Sequence, residues 1–225
     1  MADETTPEVY LLHVWIRQIS PMIWRRLLVH GDSTLAALHD TLQIAFGWTD
    51  SHLHRFRIHG RNYGVSRVGG LSFSQDARQV RLADFRFRLN ERFLYEYDLR
   101  DSWQHEVRVE RWLTAEPRRT YPVCVGGRRA APPEGCGGPW AFLGRRDAVP
   151  GQVREHLERI IESVDAGDRD AIRDELDVVN SLRQWLMLDR LDRRAVNRRL
   201  RLYAAGDERW REPFLPQLWP PRAGM

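Results

Sequence analysis

Hydrophobic residues recur at every second position through the first half of this chain and at helical spacing through its last third, which dictates a sheet first and helices after it. From Val9 to Ile19, Tyr10, Leu12, Val14 and Ile16 share one parity, the pattern of a half-buried strand. Met22 to Val29 reads as a second strand after Ser20-Pro21. A helix interrupts the alternation: Leu35, Leu38, Leu42 and Phe46 repeat at helical spacing between an N-cap at Asp32 or Ser33 and a terminating Gly47. That helix is expected to pack on the sheet.

Alternation resumes at His52 to His59, with His52, His54, Phe56 and Ile58 on one face. Residues 61–81 are rich in Gly and Ser and read as a loop. Phe93, Tyr95 and Tyr97 then mark one face of a strand, and Trp103, His105, Val107 and Val109 one face of the next, so the two form a hairpin with Arg100-Asp101-Ser102 in its turn. Residues 116–150 carry Pro and Gly every few positions and read as one long loop. After Gly151 the spacing is helical through Leu186, and a basic helix runs to about Tyr203. The expected architecture is α+β, a mainly antiparallel sheet with a packed helix, followed by a helical C-terminal part. Residues 9–145 form its core, 151–205 a helical extension of the same domain and 206–225 a Pro/Trp-rich tail.

At 225 residues and 42% hydrophobic, the chain can bury the core of one globular domain. It has no apolar run long enough to cross a bilayer, and its acidic start does not resemble a signal peptide, so a cytoplasmic location without membrane contact is expected. Two cysteines are too few for a disulfide framework. The formal charge is +4, with arginine as the sole basic residue besides histidine, and most arginines have acids nearby in sequence. Arg190, Arg194, Arg198 and Arg201 are offset less and fall on one helical stripe suited to phosphate contacts.

Residues 97–138 concentrate the chemistry. Asp98, Asp101, Trp103 and His105 surround the hairpin turn, and Cys124, Glu134 and Cys136 follow in the Pro/Gly segment. With His52 and His54 at the start of a neighbouring strand, imidazoles and carboxylates on one parity would suit a divalent metal such as zinc, and His52, His54, Asp101 and His105 are the candidate ligands. The plainer reading pairs Asp101 with His105 across the turn and treats both cysteines as small buried hydrophobes. The segment Pro132 to Gly138 lacks the Lys-Ser/Thr of a phosphate loop, and no helix clearly starts there. The stretch Cys124 to Gly138 is expected to fold back over the strand ends near His105, with Glu134 beside the polar cluster.

Several ordered motifs resemble the Ri-plasmid ORF-3-like domain family: Pro21-Met22-Ile23-Trp24-Arg25-Arg26, Leu35 to His39, Phe46 to His54, Tyr95-Glu96-Tyr97-Asp98, Asp101-Ser102-Trp103-Gln104-His105 and the Pro132-Pro133-Glu134 loop. The resemblance resumes at Arg190 to Leu200 and so spans roughly residues 9–205. Two departures stand out. Leu99-Arg100 replaces the family's Phe-Gly, and Gly135 replaces an acid after Glu134. Members are also known as passenger proteins of insertion sequences, which implies association with mobile elements. The sequence carries no obvious resolvase nucleophile region and no convincing helix-turn-helix. The expected function is a mobile-element accessory or interaction protein able to contact nucleic acid. The alternatives are a metal-dependent, hydrolase-like enzyme using His52, His54, Asp98, Asp101, His105 and Glu134, and a protein-binding module whose partner covers the proline-rich loop and the tail.

Overall fold

In the computed structural model, which describes residues 8–66, 73 and 75–212, strand β1 (Val9–Ile16) buries Tyr10, Leu12, Val14 and Ile16 and turns His13 and Trp15 the other way. It is flanked by β2 (Trp24–His30) and β6 (Trp103–Leu113), both antiparallel to it. With β3 (His54–Ile58), β4 (Arg61–Tyr63), β5 (Arg92–Tyr97) and β7 (Val123–Arg128), these make a seven-stranded sheet in the order β4-β3-β5-β6-β1-β2-β7. Every neighbouring pair is antiparallel. One face carries the core and the other is charged and aromatic, as antiparallel sheets permit. On the open face Glu110 accepts from Arg26 and Arg108, and those guanidinium groups hold its carboxyl down to about 2.

Helix α1 (Leu35–Phe46) lays Leu35, Leu38, Leu42 and Phe46 on the core face of the sheet. Its N-cap is Thr34, one residue beyond the expected Ser33, because Thr34 Oγ1 accepts the Ala37 N–H at 3.1 Å. Gly47 ends it in the left-handed region at φ 78°, as expected.

The segment 116–150, expected as one loop, contains two regular elements. Strand β7 adds to the sheet edge beside β2, where its glycines are tolerated. Gly127 is needed there, since a Cβ would run into Leu191 and lie 3.0 Å from the Trp24 carbonyl. Helix α2 (Gly138–Ala166) begins directly after the Pro/Gly segment, with Pro139 in its first turn, where a missing N–H costs nothing. It runs through Pro150, so residues 145–151, the expected junction between core and extension, lie inside a helix. Likewise Arg61–Tyr63, expected as loop, pairs with β3.

Helix α3 (Arg169–Leu186) returns along α2, and α4 (Arg193–Ala204), capped by Asp192, crosses β7. Phe142, Val149, Leu182 and Trp185 anchor the hairpin of α2 and α3 to the body, while Leu157, Ile161, Val164 and Leu176 remain exposed. Phe214 and Trp219 of the expected tail lie outside the described residues. Among the described residues no helix is long and apolar enough to cross a membrane.

Candidate functional site

At the α1 end of the buried sheet face, Trp48 stacks on Tyr97 with ring centroids 5.0 Å apart and meets His105 edge-on at 5.1 Å. The Trp48 indole N–H donates to the Pro132 carbonyl at 2.9 Å, which holds the Pro/Gly segment against the sheet. Glu134 follows. Its carboxylate accepts from the Tyr97 hydroxyl at 2.5 Å, from the Thr49 N–H at 3.0 Å and from the Thr49 hydroxyl at 2.7 Å. Burial, and then the neighbouring carboxylate, push the Tyr97 phenol above its ordinary range. Beside this lid, Gly137 N–H donates to Asp101 Oδ2 at 3.0 Å. Gly138, at φ 82°, brings α2 so close to the Asp101 carbonyl that a Cβ would sit 2.6 Å from it. Pro132 to Gly138 therefore fold back over the hairpin as expected, whereas Cys124 to Arg128, expected in the same loop, belong to strand β7.

On the other side of Tyr97 lies a cluster that the sequence reading missed. His39 on α1, Asp50 in the loop after it and His54 on β3 bring their ligand atoms within 4.8 Å of one another. The imidazoles of His39 and His54 are stacked, centroids 3.5 Å apart, and both are buried. Asp50 Oδ1 lies 2.8 Å from His39 Nε2, while His39 Nδ1 lies 2.8 Å from the Tyr95 hydroxyl. Gln43 donates to that same hydroxyl at 2.9 Å and accepts the Asp50 N–H at 3.0 Å. One buried amide thus orients both the phenol behind His39 and the backbone that carries Asp50. A hydrogen-bonded group behind a ligating histidine is the support that metal-bound imidazoles use. Two imidazoles and one carboxylate suit zinc or a related divalent ion and leave a coordination position open. Bonds of about 2.0–2.1 Å would place tetrahedral ligand atoms about 3.3 Å apart, so a metal would replace the direct 2.8 Å contact of His39 Nε2 with Asp50 Oδ1.

Of the four expected ligands, His54 alone belongs to this triad. His52 precedes β3 rather than opening it, and its Nδ1 lies 3.6 Å from Asp98 Oδ2. Asp101 receives the Gly137 N–H and makes no hydrogen bond with His105, so the expected pairing across the turn is not formed. Asp98 occupies the capping role instead, its Oδ1 accepting the Arg100 and Asp101 N–H groups. His105 is fully buried. Its Nδ1–H donates to the Trp103 carbonyl at 3.0 Å, and burial pushes its pKa down to about 3. Shared parity placed these groups on one face but said nothing of their depth along it.

Trp103 is buried against Phe142 of α2. Cys124 lies in β7, where its Sγ donates to the Gly126 carbonyl at 3.2 Å and burial raises the thiol. Burial and the Asp101 charge push the Cys136 thiol up to about 11. Neither thiol is poised as a nucleophile. Arg194, Arg198 and Arg201 share an exposed face of α4, whereas Arg190 precedes the helix. A signal for His39 existed, since it sits four residues after Leu35 and three before Leu42, on the buried stripe. Asp50 had none, because its position depends on a left-handed backbone (φ 56°).

The chain matches the sequence profile of the plasmid pRiA4b ORF-3-like proteins over residues 8–172. It belongs to that family. Another protein similar to it, uncharacterized protein y4hQ of Sinorhizobium fredii, is 30% identical over 164 residues, which cover 72% of this chain and 84% of the relative. Among solved structures, a protein of unknown function from Methanosarcina mazei Go1, MM3350, is similar at 34% identity with a TM-score of 0.58, covering 65% of this chain and 83% of that one. The matched ORF-3-like span contains His39, Asp50, His54, Tyr97 and Glu134, and it ends before Arg190 to Leu200, where the resemblance was expected to resume.

Proposed function

We propose that this member of the plasmid ORF-3-like family is a metal-dependent, hydrolase-like protein, with His39, Asp50 and His54 holding one divalent ion of the zinc class. The observation that carries the reading is the convergence of those three ligand atoms within 4.8 Å on a floor braced by Tyr95 and Gln43. Two neutral imidazoles and one carboxylate leave a zinc ion with a net positive charge and room for water. Held there, such an ion would supply an activated water for hydrolysis, with His39, Asp50 and His54 as the groups that fix it. The Asp50 side chain, 26% exposed, gives the centre its access to solvent.

Melting of the metal-free protein tests this. A saturating divalent ion that binds the folded chain raises Tm by mass action, by about 2.7 kcal/mol of stability at a hundredfold excess over Kd. The rise is expected with zinc, and it should vanish in His39→Ala, His54→Ala and Asp50→Asn while persisting in His52→Ala. The effect should weaken on acidification, because protons compete with the metal for imidazole nitrogens. A shift that survives in all three triad variants would contradict the reading.

A second reading, contact with nucleic acid, is favoured by the charge pattern at the end of the chain. Asp189 pairs with Arg129, and Asp192 caps α4. Among the described residues no carboxylate pairs with Arg190, Arg194, Arg198 or Arg201. Replacing Arg194 and Arg198 by alanine should weaken binding to duplex DNA and flatten its salt dependence by about two counterions, whatever the DNA sequence. Salt-independent binding, or none at low ionic strength, would remove this reading.

A further inference from the structure

A cleft of about 810 Å³ opens between the C-terminal end of α1, residues 130–134 and the junction of α3 with α4. Its walls are largely apolar, with Ile44, Phe46, Pro132, Met187, Leu188 and Val196 among them, and its size suits a small organic ligand. Four arginines also line it: Arg25, Arg190, Arg198 and Arg199.

Arg25 is the unusual member. It is 1% exposed, yet among the described residues no carboxylate pairs with it. Its Nε donates to the Ala45 carbonyl at 2.8 Å, and its Nη1 to the Trp24 and Arg128 carbonyls at 2.8 and 3.1 Å. Nη2 has no hydrogen-bond partner among the described residues, and the guanidinium is held in place over the Phe46 ring at 4.9 Å. Cys124, whose thiolate would offset the charge, keeps its proton because burial raises the thiol. Arg199, 8% exposed, uses its Nε on the Trp210 carbonyl at 2.8 Å and likewise has no carboxylate partner. The two acids in the cleft wall are already engaged, Glu134 with Tyr97 and Thr49, and Asp192 with the Ala195 N–H.

Buried charge without an opposite charge is costly, and a fixed guanidinium with unused donors meets an oxyanion in good geometry. We propose that this cleft binds a carboxylate borne on an aliphatic body, the head group neutralising Arg25 and the body lying along Met187, Leu188 and Val196. The site goes beyond the metal centre and shares none of its ligands.

Calorimetric titration of the full chain at constant ionic strength tests this with four probes: octanoate, 1-octanol, acetate and AMP. Octanoate is expected to bind one saturable site, and octanol and acetate at least about tenfold more weakly, since each lacks half of what the cleft recognises. Arg25→Gln should abolish octanoate binding. Because Arg25 also ties three carbonyls together, two milder variants carry the same test. Ala131→Trp fills the cleft and should abolish binding, and Arg198→Ala at its rim should weaken it by at least about threefold. Arg154→Ala, far along α2, should leave it unchanged. Absence of saturable octanoate binding, equal affinity for octanol, or tighter binding of AMP would each overturn the proposal, the last by assigning the cleft to phosphate esters.

Discussion

His105 and His39 occupy the same buried layer and differ in what surrounds their nitrogens. His105 gives Nδ1–H to a backbone carbonyl and is packed edge-on against Phe46 and Trp48, so it is kept neutral. His39 faces a carboxylate on one side and a phenol on the other, the surroundings of a ligand. The distinction has a pH signature. With its pKa at about 3 in the folded state and an unfolded value near 6.5, His105 contributes stability that is complete above pH 6.5 and is lost as the pH falls toward 3. Glu110, depressed to about 2 by its arginines, acts at lower pH, below about 4.5. Between pH 6.5 and 4.5 the unfolding free energy should therefore drop by up to about 1.4 kcal/mol per pH unit through His105, with burial of His13 adding in the same direction. Urea unfolding of His105→Phe across that window should show a shallower slope whatever its absolute stability. An unchanged slope would mean that the buried imidazole accepts a proton in the folded state.

At the scale of elements, β7 and α4 stabilise each other. Being the last strand of the sheet, β7 would present unpaired backbone groups, and Asn197 of α4 satisfies two of them: its Oδ1 accepts the Cys124 N–H at 2.8 Å and its Nδ2 donates to the Cys124 carbonyl at 2.9 Å. Asn197→Ala leaves both groups unsatisfied and should cost about 1–3 kcal/mol in denaturant unfolding, against a few tenths for the exposed Arg194→Ala. A neutral result would show that solvent replaces the asparagine fully. This contact also explains what the sequence concealed. Alternation identified β1, β5 and β6 because one face of each is apolar, and helical spacing identified α1 and α4 for the same reason. β7 carries Gly126 and Gly127 where an alternating strand has side chains, and the start of α2 follows directly on Pro and Gly, so neither has a period to detect. Their order comes from partners distant in the chain, Asn197 for one and Asp101 for the other.

For the whole molecule, the sheet works as a platform for α1, the 130–138 segment and α4, and the candidate centre sits between α1 and β3. Its three ligands come from α1, the following loop and β3, so a bound ion would cross-link the helix layer to the sheet. The sequence reading named His54 and Glu134 among its site candidates and His52, Asp101 and His105 with His54 as ligands; His54 alone joins His39 and Asp50, because period-2 parity reports which face a side chain shares and not which neighbour it reaches. The most direct measurement is metal content by elemental analysis of the purified chain, dialysed against zinc and then against buffer alone. The account predicts about one equivalent per chain in the wild type and in His52→Ala and His105→Phe, and less than about a tenth of that in His39→Ala and His54→Ala. A metal-free wild type, or a wild-type level retained in the His39 and His54 variants, would contradict it.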